Sequence, residues 1–205
     1  MKPALKTQIR AYGIRVLLSR HPDIRRLKRK NIPGYHGNKF WLSSWLLMDY
    51  FKRRGLKKRA HILEIGCGWG LAGIYCAKKY EAKVTGVDID PDVFPFLNLH
   101  ADLNGVKIET IRRSFSGLTE RHLKGIDVMI GADICFWDNQ VEPLKRLIVR
   151  ALRNGVRLVL ISDPGRPTFD KVAQYFQKKY DGEILDWTAR SPRLIQGSIL
   201  KIAPR

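Results

Sequence analysis

Five residues between positions 64 and 88 have the types and spacing of a ligand-binding site. Glu64, Gly66, Gly68 and Gly70 follow one another at two-residue intervals after a short apolar run, and Asp88 ends a second such run. Alternating glycines let the backbone turn sharply and approach a ligand where a Cβ atom would collide. No Lys-Ser/Thr pair follows, as it would in a phosphate-binding loop, so we interpret the turn as the holder of a flat, polar ligand.

The two carboxylates narrow the identity of that ligand. Glu64 faces the same side of its strand end as the glycine turn, where a carboxylate suits a cationic amine better than a pyrophosphate. Asp88 lies about 20 residues downstream of the turn, where it can accept hydrogen bonds from ribose hydroxyls. The combination predicts S-adenosylmethionine, and strand-end capping is the structural alternative for both acids.

The elements that must position these residues alternate regularly after residue 59. The hydrophobic pattern predicts strands at about 60–66, 83–88, 106–111, 126–133 and 155–162, with helices at about 69–80, 91–104, 139–153 and 167–179. Two last strands, 183–189 and 195–202, have too short a connection for a parallel crossover and must form a hairpin. We therefore predict an α/β fold, a Rossmann-like, doubly wound, seven-stranded and mostly parallel sheet with a C-terminal antiparallel β-hairpin.

Positive charge is concentrated in the N-terminal quarter of the chain. The formal net charge is +19, and residues 1–60 hold 17 Lys and Arg against two acids. Apolar residues near helical spacing predict an amphipathic basic helix over residues 1–20, followed by a second basic stretch. We expect a basic helical N-terminal extension over residues 1–38 and a ligand-binding domain over residues 39–205. The charge favours a polyanion, nucleic acid or acidic protein as the partner of residues 1–60, and a solvated surface is the alternative.

Composition also restricts the metal content and the compartment. Three cysteines (Cys67, Cys76 and Cys135) and five histidines show no disulfide or metal-ligand spacing, so we predict free thiols and no metal. The apolar runs are far shorter than the roughly 20 residues of a membrane span. We expect a cytoplasmic protein, or a mitochondrial one if the source is eukaryotic, because the acid-free start resembles a targeting segment.

Over residues 39–205 the chain resembles the class I, seven-β-strand, S-adenosylmethionine-dependent methyltransferases. The resemblance rests on the E-x-G-x-G-x-G turn and on Gly86-Val87-Asp88. Three stretches are similar to the family that methylates protein lysines. Gly131–Phe136 matches its G-A-D-x-x-Tyr element, Phe40–Leu47 its tryptophan-containing helix, and Ser162–Pro167 the branch that acts on the electron-transfer flavoprotein β subunit.

This resemblance implies a protein-lysine methyltransferase that uses S-adenosyl-L-methionine. The catalytic residues would be Asp133, which faces the acceptor, and Phe136 and Trp137, whose rings hold an alkylammonium. The cofactor-binding residues, from the resemblance and from the residue types above, would be Trp41, Glu64, Gly66, Cys67, Gly68, Gly70, Asp88, Ile89, Ser114 and Ala132. The chain departs from the family at Phe136, where tyrosine is usual, and at Arg112–Ser114, where many members have an acid that binds adenine.

Two other functions stay open. An RNA methyltransferase would explain the basic N-terminal segment, although the (Asn/Asp)-Pro-Pro-aromatic element of amino-directed nucleic-acid methylases is absent. A non-catalytic S-adenosylmethionine-binding module is the second, and the intact glycine turn and Asp88 argue against it. The structural alternatives are a loop cap for Asp133 and core or rim packing for Phe136 and Trp137.

Overall fold

The computed structural model describes residues 6–203, in which nine strands and seven helices follow one another along the chain. The N-terminal elements are β1 (Gln8–Ala11), β2 (Ile14–Leu17), α1 (Pro22–Lys30) and α2 (Ser43–Arg54). The alternating region comprises β3 (His61–Ile65), α3 (Leu71–Tyr80), β4 (Lys83–Asp88), α4 (Phe94–Asn104), β5 (Glu109–Arg112), α5 (Glu120–Leu123), β6 (Val128–Ala132), α6 (Val141–Arg153), β7 (Leu158–Asp163) and α7 (Pro167–Tyr180). The chain closes with β8 (Glu183–Ala189) and β9 (Ile195–Ile202).

Seven of these strands form the central sheet, in the order β5-β4-β3-β6-β7-β9-β8. The pairs from β5 to β7 are parallel, whereas β9 runs antiparallel to both β7 and β8. The predicted fold is therefore confirmed, including its terminal hairpin. Because the strand order reverses beside β3, the carboxyl ends of β3, β4 and β6 border the crevice where open α/β sheets bind ligands.

Alternate side chains of the strands point into two apolar clusters, one on each face of the sheet. On β3, Ile62 belongs to the first cluster, whereas Leu63 and Ile65 belong to the second. The largest fully buried side chains of the two clusters come from the covering helices, and they are Trp45, Phe51, Phe96, Phe169 and Phe176. A parallel sheet needs such cover on both faces.

The helix predicted over residues 1–20 is wrong for residues 8–17, which form an antiparallel hairpin. The chain reverses at Tyr12 and Gly13, whose φ values of 53° and 80° are both positive, as a type I′ hairpin turn requires. Flanking β-branched residues favour strands, and the hairpin buries Ile14 and Val16. Residues 1–5 lie outside the described part of the chain.

The N-terminal hairpin is anchored on α4 by buried polar side chains. The Leu17 N–H donates to His100 Nε2 at 3.1 Å, and the Arg15 N–H donates to Asn104 Oδ1 at 2.8 Å. Burial lowers the pKa of His100, which favours the neutral ring that accepts this bond. Ile14, Val16 and Ile24 of this segment share the apolar cluster of α2 and α3. The proposed domain boundary after residue 38 stays a prediction.

Smaller differences concern the edges of the sheet. Strand β5 begins at Glu109, three residues later than predicted, and the one-turn helix α5 was not predicted. Among residues 6–203, no helix is long and apolar enough to cross a membrane. In the same range, no group of three or more His, Cys, Asp and Glu side chains could hold a metal ion.

Candidate functional site

The glycine turn after β3 is built for close approach by a ligand. Gly66 and Gly68 have φ values of 58° and 50°, which side chains rarely tolerate. A Cβ atom on Gly66 would lie 2.6 Å from Ile134 Cγ2, whereas one on Gly68 would meet no atom within 4 Å. The backbone at Gly68 therefore borders open space that any side chain would fill, which is the cradle a flat ligand needs.

Asp88 is tied to that turn at the end of β4. One carboxylate oxygen accepts the Gly68 N–H at 2.9 Å and the other accepts the Asp90 N–H at 3.0 Å. Burial raises the pKa of Asp88. Each carboxylate oxygen has a second acceptor position, so Asp88 can still accept hydroxyl donors from a ligand.

Glu64 lies behind the turn, in contact with the first turn of α3. Its carboxyl group accepts the Gly73 N–H at 3.0 Å, and the residue is 3% exposed. Burial raises the pKa of Glu64 to about 8. Glu64 therefore caps α3, because the N-cap residue Gly70 has no side chain to do so. Glu64 also lines the narrow cleft described next.

A cavity of about 470 Å³ extends from the glycine turn to the segment after β6. A much narrower cleft of about 20 Å³ is also bordered by the turn. The larger cavity is lined by the predicted residues Trp41, Gly66, Gly68, Asp88, Ile89, Ser114, Ala132, Asp133, Phe136 and Trp137. The cleft is lined by Glu64, Cys67 and Gly70, and it shares Trp41, Gly66, Gly68 and Ala132 with the cavity. The fold thus brings every predicted site residue to one place.

Asp133 reaches the cavity from a strained position. Its φ is 57°, and it is 4% exposed. One oxygen accepts the N–H of Ser43, the first residue of α2, at 2.8 Å, and the other accepts Arg166 Nη1 at 2.8 Å. Arg166 also binds Asp163 at 2.7 Å. Asp133 therefore caps α2 and is held in a charge-assisted network, and both of its oxygens have partners.

Aromatic rings form the wall of the cavity beside Asp133. His36 stacks on Phe136 at 4.9 Å and on Trp137 at 5.3 Å between ring centroids, with interplanar angles of 24° and 23°. Trp41 meets Phe136 at 4.9 Å, and Tyr35 meets Trp137 edge-on at 6.3 Å. We call these five residues the aromatic wall. Tyr35 and His36 were not predicted as site residues.

The loop of residues 32–38 brings Tyr35 and His36 to the cavity. Asp90 caps the turn after β4 by accepting the Asp92 N–H at 3.0 Å. Its other oxygen accepts the Gly34 N–H at 2.6 Å, and Gly37 accepts a bond from Trp69 Nε1 at 2.9 Å. The sequence of residues 33–38 gives no signal for these distant partners.

Known methyltransferases resemble this chain in sequence. A family model described as a methyltransferase domain matches residues 62–155. The ribosomal protein L11 methyltransferase of Polynucleobacter necessarius is 26% identical over 132 residues, which is 64% of this chain and 39% of that protein. The phosphoethanolamine N-methyltransferase of Triticum aestivum is 28% identical over 130 residues, covering 62% of this chain and 25% of that protein. Residues 62–155 are therefore similar to a methyltransferase domain, and the seven-stranded fold is that of class I S-adenosylmethionine-dependent methyltransferases.

The matches cover only part of the length of the known proteins. The chain spans less than half the length of the two curated relatives. A solved ribosomal protein L11 methylase from Lactobacillus delbrueckii, 19% identical with a TM-score of 0.58 and 81% of each chain covered, has the same fold. The predicted cofactor, S-adenosylmethionine, is confirmed by the family match, and the Gly68–Asp88 cradle suits it. Tyr35, His36 and Trp41 precede the matched residues, so the family model does not describe that part of the aromatic wall.

Proposed function

We propose that this methyltransferase acts on the side-chain amine of a lysine in a protein substrate. The observation that carries the proposal is the continuity of the large cavity. The same cavity is lined by Gly68 and Asp88 at one end and by Asp133, Phe136 and Trp137 at the other. Cofactor and acceptor could therefore meet in one continuous cavity, which favours their alignment.

The aromatic wall supports a cationic acceptor. Ring faces attract ammonium groups by about 0.5–2 kcal/mol. Trp137 is 39% exposed, and it borders the cavity beside Asp133. Phe136 already has the Arg166 guanidinium 4.2 Å from its ring centre, so the open aromatic surface belongs mainly to Trp137. An alkyl stem against these rings would place its terminal amine near the Asp133 carboxylate.

Residues at the other end would hold the cofactor. Asp88 would accept hydrogen bonds from ribose hydroxyls, Gly66 and Gly68 would border the methionine portion, and Ile89 and Ser114 would contact the adenine. When bound, S-adenosylmethionine supplies a methyl group already activated on a sulfonium. The protein must then position an unprotonated amine and keep water away, because a lysine has a reference pKa near 10.4. Asp133 would orient that amine by accepting one of its hydrogens.

A protein acceptor is also consistent with one relative. The L11 methyltransferase acts, by its name, on a ribosomal protein. The phosphoethanolamine N-methyltransferase acts, by its name, on the amine of a small molecule. Amine chemistry and protein substrates therefore both occur among similar chains.

RNA is the second candidate acceptor, and the rim of the cavity favours it. Exposed Arg113 lines the same cavity as the exposed rings of Tyr35 and Trp137, and exposed Lys39 lies 4.3 Å from the centre of the Trp41 ring. Cations beside exposed aromatic rings are typical of single-stranded nucleic-acid sites. A 2′-hydroxyl or a base nitrogen would then replace the lysine.

Transfer of a radioactive methyl group tests these acceptors directly. The protein is incubated with methyl-tritiated S-adenosylmethionine and dialysed bacterial lysate, and the product is divided between protease and ribonuclease. We expect the label to be released by protease and to appear in methyl-lysine after acid hydrolysis. Release by ribonuclease alone would contradict the protein proposal, and label in glutamine or a free small molecule would contradict the lysine assignment.

We also propose that α1 is the contact surface for an acidic partner. Arg25, Arg26, Arg29 and Lys30 are exposed on this short helix, which leads directly into the 32–38 loop. Deleting residues 1–30 would remove core side chains, so charge-neutralising substitutions are the cleaner test. We expect R25Q/R29Q to weaken substrate binding and its salt dependence, whereas K178Q/K179Q on α7 should not. Equal behaviour of the two double variants would identify α1 as a solvated surface.

A further inference from the structure

His36 lines the large cavity, and its contacts with neighbouring residues fix its position. The backbone of His36 has a φ of 56°, and its carbonyl oxygen accepts Trp41 Nε1 at 3.0 Å. The imidazole stacks on Phe136 and Trp137 and lines the cavity. Within residues 6–203, no side chain or backbone group forms a hydrogen bond with its ring nitrogens. The ring is thus fixed in orientation by stacking while its nitrogens stay available.

The other titratable groups that line the cavity have fixed partners or the wrong charge. Asp133 accepts bonds on both oxygens, from Ser43 and Arg166. Asp88 is held by two backbone amides at the opposite end. The remaining titratable residues of the lining are Tyr35 and Arg113, and arginine and tyrosine are residue types whose reference pKa values lie far above neutrality. Histidine is the side chain whose reference pKa, about 6.5, lies nearest neutrality.

We propose that His36 accepts the proton that the acceptor ammonium must lose. An N–H bond of the lysine ammonium breaks, its electron pair stays on the amine nitrogen, and the proton bonds to a ring nitrogen of His36 and later passes to water. This inference rests on the proposed lysine acceptor. In this proposal, Asp133 orients the amine and His36 removes its proton.

The charges around the imidazole suit that task. Lys39 lies 4.3 Å from the Trp41 ring and Arg166 lies 4.2 Å from the Phe136 ring, both of which contact His36. Asp133, which lines the cavity, is paired with Arg166, and Asp138, which follows Trp137 in the chain, binds Lys171. The charges named here sum to an excess of positive charge beside the rings that contact His36. The same field favours a neutral over a charged amine in the cavity.

Two variants separate proton transfer from stacking. H36N keeps a residue that tolerates the left-handed backbone but has no basic nitrogen, and H36F keeps an aromatic ring for Phe136 and Trp137. H61N is the matched control, since His61 is exposed at the start of β3, at the opposite end of the strand. The initial rate of tritium transfer into lysate protein is measured at saturating cofactor from pH 5.5 to pH 9.

For the wild type and H61N, we expect the rate to rise with pH in a one-proton step. For H36N and H36F, we expect that step to disappear and the neutral-pH rate to fall about 100-fold or more, with unchanged cofactor affinity. A second measurement needs no cofactor. Because an imidazolium quenches a stacked indole, tryptophan fluorescence of the wild type should change with pH in a step that both H36N and W137F lose.

The possible outcomes distinguish this inference from the proposed function. A wild type that labels no protein overturns both. Label in protein at the same rate and with the same pH profile in H36F as in the wild type reduces His36 to a stacking residue and overturns the inference alone. A wild-type fluorescence that shows no step lost in H36N also overturns it, because the ring would not titrate in contact with Trp137.

Discussion

The two ends of the large cavity are constructed in different ways. The cofactor half, as we propose it, comes from the adjacent strands β3 and β4, with Gly66, Gly68 and Asp88 on the cavity and Glu64 in the adjoining cleft, and it is held by hydrogen bonds to backbone amides. The acceptor half, defined by the aromatic wall and Asp133, comes from the 32–38 loop, the start of α2 and the segment after β6. Ring contacts, the Arg166 ion pair and the Asp90 tether hold it together.

Because the two halves are held together differently, acceptor specificity can change while the cofactor site is kept. Backbone amides at strand ends are set by the sheet and are insensitive to most side-chain changes. Side chains from distant segments depend on each contact that joins them. We therefore expect substitutions to separate cleanly, with the cofactor half controlling cofactor affinity and protein stability and the acceptor half controlling transfer.

Replacement of Glu64 by glutamine should have the largest effect, which is to reduce the change in the free energy of unfolding between low and high pH. The pKa of a glutamate rises from 4.5 to about 8 at this buried site. Between these values the folded state holds the proton more tightly than the unfolded state, so the free energy of unfolding must fall as pH rises from 4.5 to 8 and then level off. The fall amounts to a few kcal/mol, at about 1.4 kcal/mol per pH unit.

Denaturant unfolding at pH 5, 7 and 9 without cofactor measures this effect. E64Q cannot ionise, so its free energy of unfolding should decline less than that of the wild type over the same range. E109Q, at an exposed glutamate on β5, should follow the wild type. Parallel curves for E64Q and the wild type would show that Glu64 ionises normally in the folded state.

Replacement of Gly68 by valine should abolish most cofactor binding. The side chain would need a positive φ and would project into the cavity. We expect cofactor affinity to fall about 100-fold, equivalent to about 2.7 kcal/mol. Calorimetric titration measures this, and G105V serves as control because Gly105 has a φ of 69° with equally open space at the end of α4. If G68V bound cofactor like G105V, the cradle would lie elsewhere.

Replacement of Asp90 by alanine should impair the acceptor half through the 32–38 loop. The change removes the acceptor for the Gly34 N–H and the cap of the turn after β4, at a cost of about 1–2 kcal/mol in stability. We expect a roughly 10-fold loss in methyl transfer, because misplaced acceptor groups lose alignment, with cofactor affinity nearly unchanged. D102A, on the exposed side of α4, should transfer normally. A parallel loss of cofactor affinity would show that the two halves are coupled.

Replacement of Phe136 by leucine should give the smallest of these effects. Loss of the ring removes its stacking on His36 and its contact with Arg166. We expect the lysate-protein concentration for half-maximal transfer to rise about 2- to 5-fold, in line with about 0.5–1 kcal/mol per exposed cation–π contact. Cofactor affinity, measured in parallel, should not change. A lower cofactor affinity at an unchanged half-maximal concentration would place Phe136 in the cofactor half.

The sheet and the residues of the cofactor half could be predicted from the sequence. Short alternating strands and helices, with one connection too short for a crossover, allow only the observed topology of parallel strands and a final hairpin. Gly66, Gly68 and Asp88 could be predicted to lie together because they stand at the ends of neighbouring strands. Such information is local, so the spacing of residues along the chain records it.

The contacts of the acceptor half and the hairpin of the N-terminal segment could be recognised only in the tertiary structure. The pattern of residues 8–17 fitted a helix, but the Tyr12-Gly13 turn and burial against α4 favour a hairpin. Asp133 was predicted at the site, yet its partners Ser43 and Arg166 come from distant segments. His36 had no sequence signal at all, because its place is set by Asp90, Trp69 and Phe136. Contacts between side chains far apart in the chain depend on three-dimensional packing, which residue spacing does not encode.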